Sequence, residues 1–157
     1  MSNNDVFNIL EPVLTLCRNL DFADPAEAEA WLEEAFPFDG PDMQGLRDLC
    51  LRGVKDGWLC NRGEDGARFS RVCKPSGPDQ TCSVDAVLLR GTGPAHRHPK
   101  GEVDLCFPFD GAAPLFDDRP PGWHVYAEES EHAPTVAGGA MLVLYILPNG
   151  AIDWLKT

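Results

Sequence analysis

The sequence predicts a mainly β chain, a small antiparallel barrel or sandwich behind an α-helical N-terminal segment. Three observations carry this. Apolar residues recur at helical spacing in the first third of the chain, up to about residue 53. Beyond it, Gly and Pro punctuate the chain every eight to twelve residues, and the apolar runs shorten to strand length. A length of 157 residues suits one domain, expected to span 1–157 with helices in 1–53 and the barrel in 54–157.

The first helix is predicted over residues 5–20, where Val6, Ile9, Leu10, Val13, Leu14 and Cys17 share a face, with Pro12 kinking it or restarting it. Asp24 followed by Pro25, with Glu27 three residues past the cap, predicts a second helix over 24–36. Pro37, Gly40 and Pro41 end it, and a third helix is predicted over 42–52, stopped by Gly53. Strands are predicted over 58–61, 67–73, 82–90, 102–107, 123–126, 141–147 and 151–155. The last two flank Pro148-Asn149-Gly150, whose Asn-Gly pair favours the tight turns that join antiparallel strands. Seven short strands so connected predict a small barrel or sandwich, with the helices outside it or in a dimer contact.

Composition excludes several classes. No apolar run reaches the roughly 18 residues of a membrane span, and MSNNDVFNIL lacks a basic export signal. A cytoplasmic location is therefore expected. Thirteen Lys and Arg against 25 Asp and Glu give a net charge of −12, which repels phosphate backbones and argues against nucleic acid. The six cysteines form no CxxC pair, so they read as reduced, mostly buried thiols.

All four histidines, His96, His98, His124 and His132, fall within 37 residues, which packing does not require. His96 and His98 are two apart, so an extended segment projects both rings to one face. A turn at Pro99-Lys100-Gly101 then returns Glu102 beside them, and His132 offers a fourth ligand. Three imidazoles and a carboxylate suit a divalent transition metal, Fe, Mn, Zn, Ni or Cu, without choosing among them. Solvated loop histidines are the alternative, but that reading does not predict a fourth His at the matching place. Asp104 and Cys106 share strand parity with Glu102 and are expected to face the same pocket, Asp104 as a proton carrier or a support for a ligand. His124 is either strand filler or a substrate contact.

The run HRHPKGE resembles the first motif of the cupins, in which two His separated by one residue precede a Glu; here three residues stand between His98 and Glu102. The second cupin motif survives only as the His of Ala127-Glu128-Glu129-Ser130-Glu131-His132, and Val136 stands where its Asn would fall. This resemblance implies a cupin-type antiparallel β-barrel, a double-stranded β-helix or jelly-roll. More of the chain, RFSRV (68–72), SVDAVLLRGTGPAHRHPKGEVDLCFPFDG (83–111) and the run 122–154, resembles the bacterial 4-hydroxylaminobenzoate lyases. These enzymes of nitrobenzoate degradation convert 4-hydroxylaminobenzoate and water into 3,4-dihydroxybenzoate (protocatechuate) and ammonia.

That resemblance implies a small aromatic carboxylate as substrate, no organic cofactor, and room for a homodimer. Metal at His96, His98, Glu102 and His132 would polarise the N–O bond, with Glu102, Asp104 and His132 as catalytic groups. A metal-free variant would use a His or Glu as general acid in the same pocket. A benzoate needs a cation, and Arg68 and Arg71 are the candidates, Arg68 slightly favoured; their parities differ, so only one points inward. Trp58, Phe69, Phe107, Trp123 or Tyr145 would wall the ring, and His124 and Tyr145 complete the expected substrate contacts. Another metal cupin, such as a ring dioxygenase or isomerase, or a non-catalytic ligand-binding cupin, remain the alternatives.

Overall fold

The computed structural model describes residues 1–155, so the last two residues of the expected barrel segment lie outside it. Helix α1 (Asn3–Cys17) begins at Ser2, which accepts from the Asn4 N–H while Asp5 accepts from the Ser2 N–H. The helix is continuous through Pro12 rather than restarting there. Pro12 lies on the exposed face, where water satisfies the carbonyl that loses its partner. In α2 (Pro25–Ala35), Asp24 caps the Glu27 N–H at 3.2 Å, as the sequence predicts.

Helix α3 (Pro41–Asp56) does not stop at Gly53. The chain folds back so that the Trp58 and Leu59 N–H groups both donate to the Gly53 carbonyl, at 3.0 and 3.1 Å. A Cβ on Gly53 would lie 2.8 Å from the Trp58 ring, so glycine serves close packing there. The helix ends at Gly57, in the left-handed region with φ +85°. This fold-back occupies residues expected as the first strand, which begins instead at β1 (Arg62–Glu64).

The other strands are β2 (Ala67–Cys73), β3 (Cys82–Thr92), β4 (His96–His98), β5 (Glu102–Asp110), β6 (Leu115–Phe116), β7 (Gly122–Tyr126), β8 (Ser130–His132), β9 (Thr135–Pro148) and β10 (Asp153–Trp154). The larger sheet has the order β1-β2-β3-β9-β5-β7 with β6 on β9, and the smaller has the order β10-β4-β8, all antiparallel. The chain crosses to the smaller sheet and back at β4 and again at β8, the winding of a jelly-roll. Asn149 and Gly150 do take positive φ, 58° and 66°. They do not close a hairpin, because β3 and β5 already occupy both edges of β9, and β10 pairs with β4 instead.

The larger sheet has two unlike faces. Val84, Ala86, Val103, Leu105, Phe107, Leu142, Leu144 and Ile146 pack against the three helices. Cys106, Phe116, Val136, Met141, Val143 and Tyr145 line the inner face, toward the smaller sheet. Glu29 of α2 ties helix to sheet: it accepts from the Val125 N–H at 2.9 Å and pairs with Arg119. All six cysteines are free, and burial pushes the thiols of Cys50 and Cys60 up to about 12. Among the described residues no helix is long and apolar enough to cross a membrane.

Candidate metal centre

Strand alternation turns His96 and His98 of β4 inward, both buried, and Arg97 outward to Asp153 and Glu129, at 2.5 and 3.0 Å. The turn after His98 closes through Gly101, whose N–H donates to the His98 carbonyl at 3.2 Å. Gly101 has φ +87°, and a Cβ there would run into the Phe22 ring, so only glycine fits. Glu102 follows at once as the first residue of β5, fully buried. His132, on β8, is the register partner of His96. One ligand atom from each of His96, His98, Glu102 and His132 lies within 4.8 Å of all the others.

The ring orientations give this cluster its chemistry. His96 Nδ1–H donates to the Pro94 carbonyl (3.2 Å), and His132 Nδ1–H donates to Asp117 (2.7 Å). Ser130 spends its hydroxyl proton on the Ala127 carbonyl (2.5 Å), so its oxygen accepts from His98 Nδ1–H at 2.9 Å. With each Nδ1 engaged, all three Nε2 atoms point at Glu102, at 3.4 Å from His96, 3.1 Å from His98 and 3.4 Å from His132. His132 Nε2 also stands 3.2 Å from His96 Nε2. Three lone pairs and a carboxylate aimed at one buried point need positive charge between them. Their chemistry fits a divalent transition metal.

In the absence of metal a proton supplies part of that charge. Burial alone would lower His132, but Asp117 and Glu102 outweigh it and push the ring up to about 9. Burial would raise Glu102, yet the three imidazoles of His132, His96 and His98 gathered around it hold its carboxyl well below the usual range. Asp104 goes the other way. Burial, reinforced by the Glu102 charge, raises it well above an ordinary carboxylic acid, and neither of its oxygens has a hydrogen-bond partner among the described residues.

Asp104 belongs to a row of register partners across five strands, His124, Asp104, Tyr145, Asp85 and Arg71, all on the inner face. His124 stacks on Phe116 at 5.8 Å and donates from Nε2 to the Pro120 carbonyl at 2.8 Å. That leaves Nδ1 bare and buried. Burial, with help from Arg119, lowers its pKa below the usual imidazole value. The Tyr145 ring lies 6.5 Å from that of His96. Arg71 sits at the open end of the row, its Nε 2.6 Å from Asp85.

Arg68, the favoured cation from the sequence, is not part of this row. It shares parity with Ser70 and Val72, which face the helices, and its guanidinium pairs with Asp65 at 3.3 Å. Phe107 and Trp123 also fall on the helix side, stacked on Phe38 (5.6 Å) and bonded to the Phe36 carbonyl (3.0 Å). Trp58 packs over Gly53. Of the expected aromatic wall, Phe69 and Tyr145 are on the inner face. The sequence did not single out Asp117, Tyr126, Ser130 or Trp154 for the site. Tyr126 donates to Asp117 at 2.6 Å, and exposed Trp154 stands over His96 with ring centroids 5.5 Å apart. The usable signal was parity: Ser130 is two residues before His132 and so on the same side of β8.

A model of the PnbB 4-hydroxylaminobenzoate lyase family matches residues 13–154. A 4-hydroxylaminobenzoate lyase of Nocardioides sp. (strain LMS-CY) is 32% identical, the match covering 82% of this chain and 81% of the relative. A second, of Pseudomonas putida, is 30% identical and covers 82% of this chain and 83% of the relative. Among solved structures, an RmlC-like cupin protein from Ralstonia eutropha JMP134 is similar, at 11% identity and a TM-score of 0.44 over 59% of this chain and 62% of that one.

Proposed function

The chain belongs to the 4-hydroxylaminobenzoate lyase family, and from that premise we propose that it converts 4-hydroxylaminobenzoate and water into 3,4-dihydroxybenzoate (protocatechuate) and ammonia. A divalent transition metal held by His96, His98, Glu102 and His132 assists. The observation that carries the metal is the set of three Nε2 atoms and one carboxylate facing a single buried point.

The reaction balances without an external oxidant. The N–O bond breaks with its electron pair on oxygen, which leaves as water, and another water adds to the adjacent ring carbon and gives up one of its own protons, leaving a C=N group at the nitrogen-bearing carbon. That group takes up a second water and releases ammonia, and only then does the hydroxylated ring carbon lose its hydrogen to restore the aromatic ring, so the ring is oxidised by two electrons as nitrogen is reduced by two. When bound, the metal supplies Lewis acidity toward the leaving oxygen. The chain does the rest. Asp104, whose burial beside Glu102 favours its protonated form, is the group placed to donate a proton to the departing hydroxyl. Tyr145 and Trp154, whose rings lie 6.5 and 5.5 Å from that of His96, bound the aromatic ring of the substrate.

Arg71 takes the substrate carboxylate. Asp85 engages only its Nε, which leaves the two terminal nitrogens of the fork for a second carboxylate. The test is incubation of purified, metal-loaded protein with 4-hydroxylaminobenzoate under argon. Protocatechuate and ammonia should form in equal amounts at the aerobic rate. A strict need for O₂ would replace the lyase with a dioxygenase.

A further inference from the structure

We infer that Asp117 is the positioning residue that makes His132 a metal ligand, holding the ring in the one tautomer that can bind; this rests on the four-residue metal centre above. Two of the three imidazoles are held by neutral acceptors, the Pro94 carbonyl and the Ser130 hydroxyl. Only His132 has an anionic partner at Nδ1. It is also the only ligand outside the stretch from His96 to Glu102, so it needs separate orientation.

Asp117 is itself fixed from three strands. Its Oδ2 accepts from Tyr126 of β7 (2.6 Å) and from His132 of β8 (2.7 Å), and its Oδ1 accepts from the Thr135 N–H of β9 (2.9 Å). Its own N–H donates to the Thr135 carbonyl at 2.8 Å. Asp117 and Asp118 both lie in the left-handed region, with φ 48° and 65°. Non-glycine residues hold that conformation where the surroundings over-determine it, which is the condition of a rigid acceptor. Because every donor around the carboxylate is an N–H or O–H that cannot reverse its role, His132 keeps a hydrogen on Nδ1 in either charge state, and Nε2 is the nitrogen left for a metal. The negative charge also makes that nitrogen a stronger donor.

Asp117→Asn tests this with almost no change of shape. One carboxylate oxygen must become an NH₂. Placed toward His132, it donates to Nδ1 and moves the ring hydrogen to Nε2, where the metal would bind. Placed toward Thr135, it opposes an N–H with an N–H and loses the charge. Zinc affinity, measured by competition with a chromophoric chelator, should fall about ten- to a hundredfold in D117N. In zinc-loaded wild type, long-range ¹H–¹⁵N correlations should show His132 protonated at Nδ1 and not at Nε2. That measurement needs no variant and stands even if D117N folds poorly.

A D117N protein that binds zinc within twofold of wild type, or a His132 protonated at Nε2 in the zinc-loaded protein, overturns the assignment. Wild type that binds no zinc removes the metal centre and this role together. Zinc bound as described without turnover of 4-hydroxylaminobenzoate sinks the proposed reaction and leaves Asp117 in place.

Discussion

Arg68 and Arg71 are three residues apart on β2, and that odd spacing turns them to opposite faces of the strand. Arg71 shares the inner face with Asp85, Tyr145 and Asp104, whereas Arg68 is turned to the helix side and tied to Asp65. A charge-assisted hydrogen bond contributes about 1.5–3 kcal/mol, which corresponds to roughly ten- to a hundredfold in binding. Arg71→Ala should therefore raise KM for 4-hydroxylaminobenzoate by about that factor with kcat little changed, and Arg68→Ala should leave both near wild type. Steady-state kinetics on the two variants checks it, and equal effects from both would remove Arg71 from the site. The sequence named both arginines by residue type alone. The choice between them was legible only as parity, and an edge strand with no neighbouring context does not say which parity faces in.

Phe22, just beyond α1, reaches the candidate metal centre through a turn. Its ring fills the space a Cβ would need on Gly101, the residue that separates His98 from Glu102, so the helical segment braces the turn that delivers the carboxylate. Gly101→Ala would force a side chain to φ +87° and into that ring. Strain and overpacking together should cost about 2–4 kcal/mol. Glu102 should shift with the turn, so zinc affinity falls as well; urea unfolding of the metal-free protein and zinc competition measure the two effects separately. Loss of stability with unchanged affinity would mean that the helices support the fold but not the site. The same logic explains which elements the sequence revealed. Ala67–Cys73 was read to the residue because its alternation and flanking glycines are local. The short strands Leu115–Phe116 and Ser130–His132 carry no such pattern and exist through partners distant in sequence. Gly53 and the Asn149-Gly150 turn misled for one reason: each was read as local punctuation while tertiary packing set its role.

The molecule as a whole carries a net charge of −12, and its candidate metal centre itself holds a buried carboxylate. Its metal-free stability must therefore depend on the protons that stand in for the metal. His132 titrates near 6.5 when unfolded and is pushed up to about 9 when folded, so the folded state binds that proton more tightly. The stabilisation is fully present below pH 6.5, declines between 6.5 and 9, and is gone above that window. At 1.36 kcal/mol per pH unit the change is on the order of 3 kcal/mol. Chelator-treated protein should thus lose that much unfolding free energy in urea between pH 6.5 and 9. Zinc-loaded protein should lose much less, because the metal replaces the proton as the positive charge among the three rings. A His132→Asn variant should show neither the pH slope nor its suppression by zinc. If chelator-treated wild type is as stable at pH 9 as at 6.5, His132 is not held as a cation between Glu102 and Asp117. The electrostatic account of the centre then fails independently of what reaction it supports.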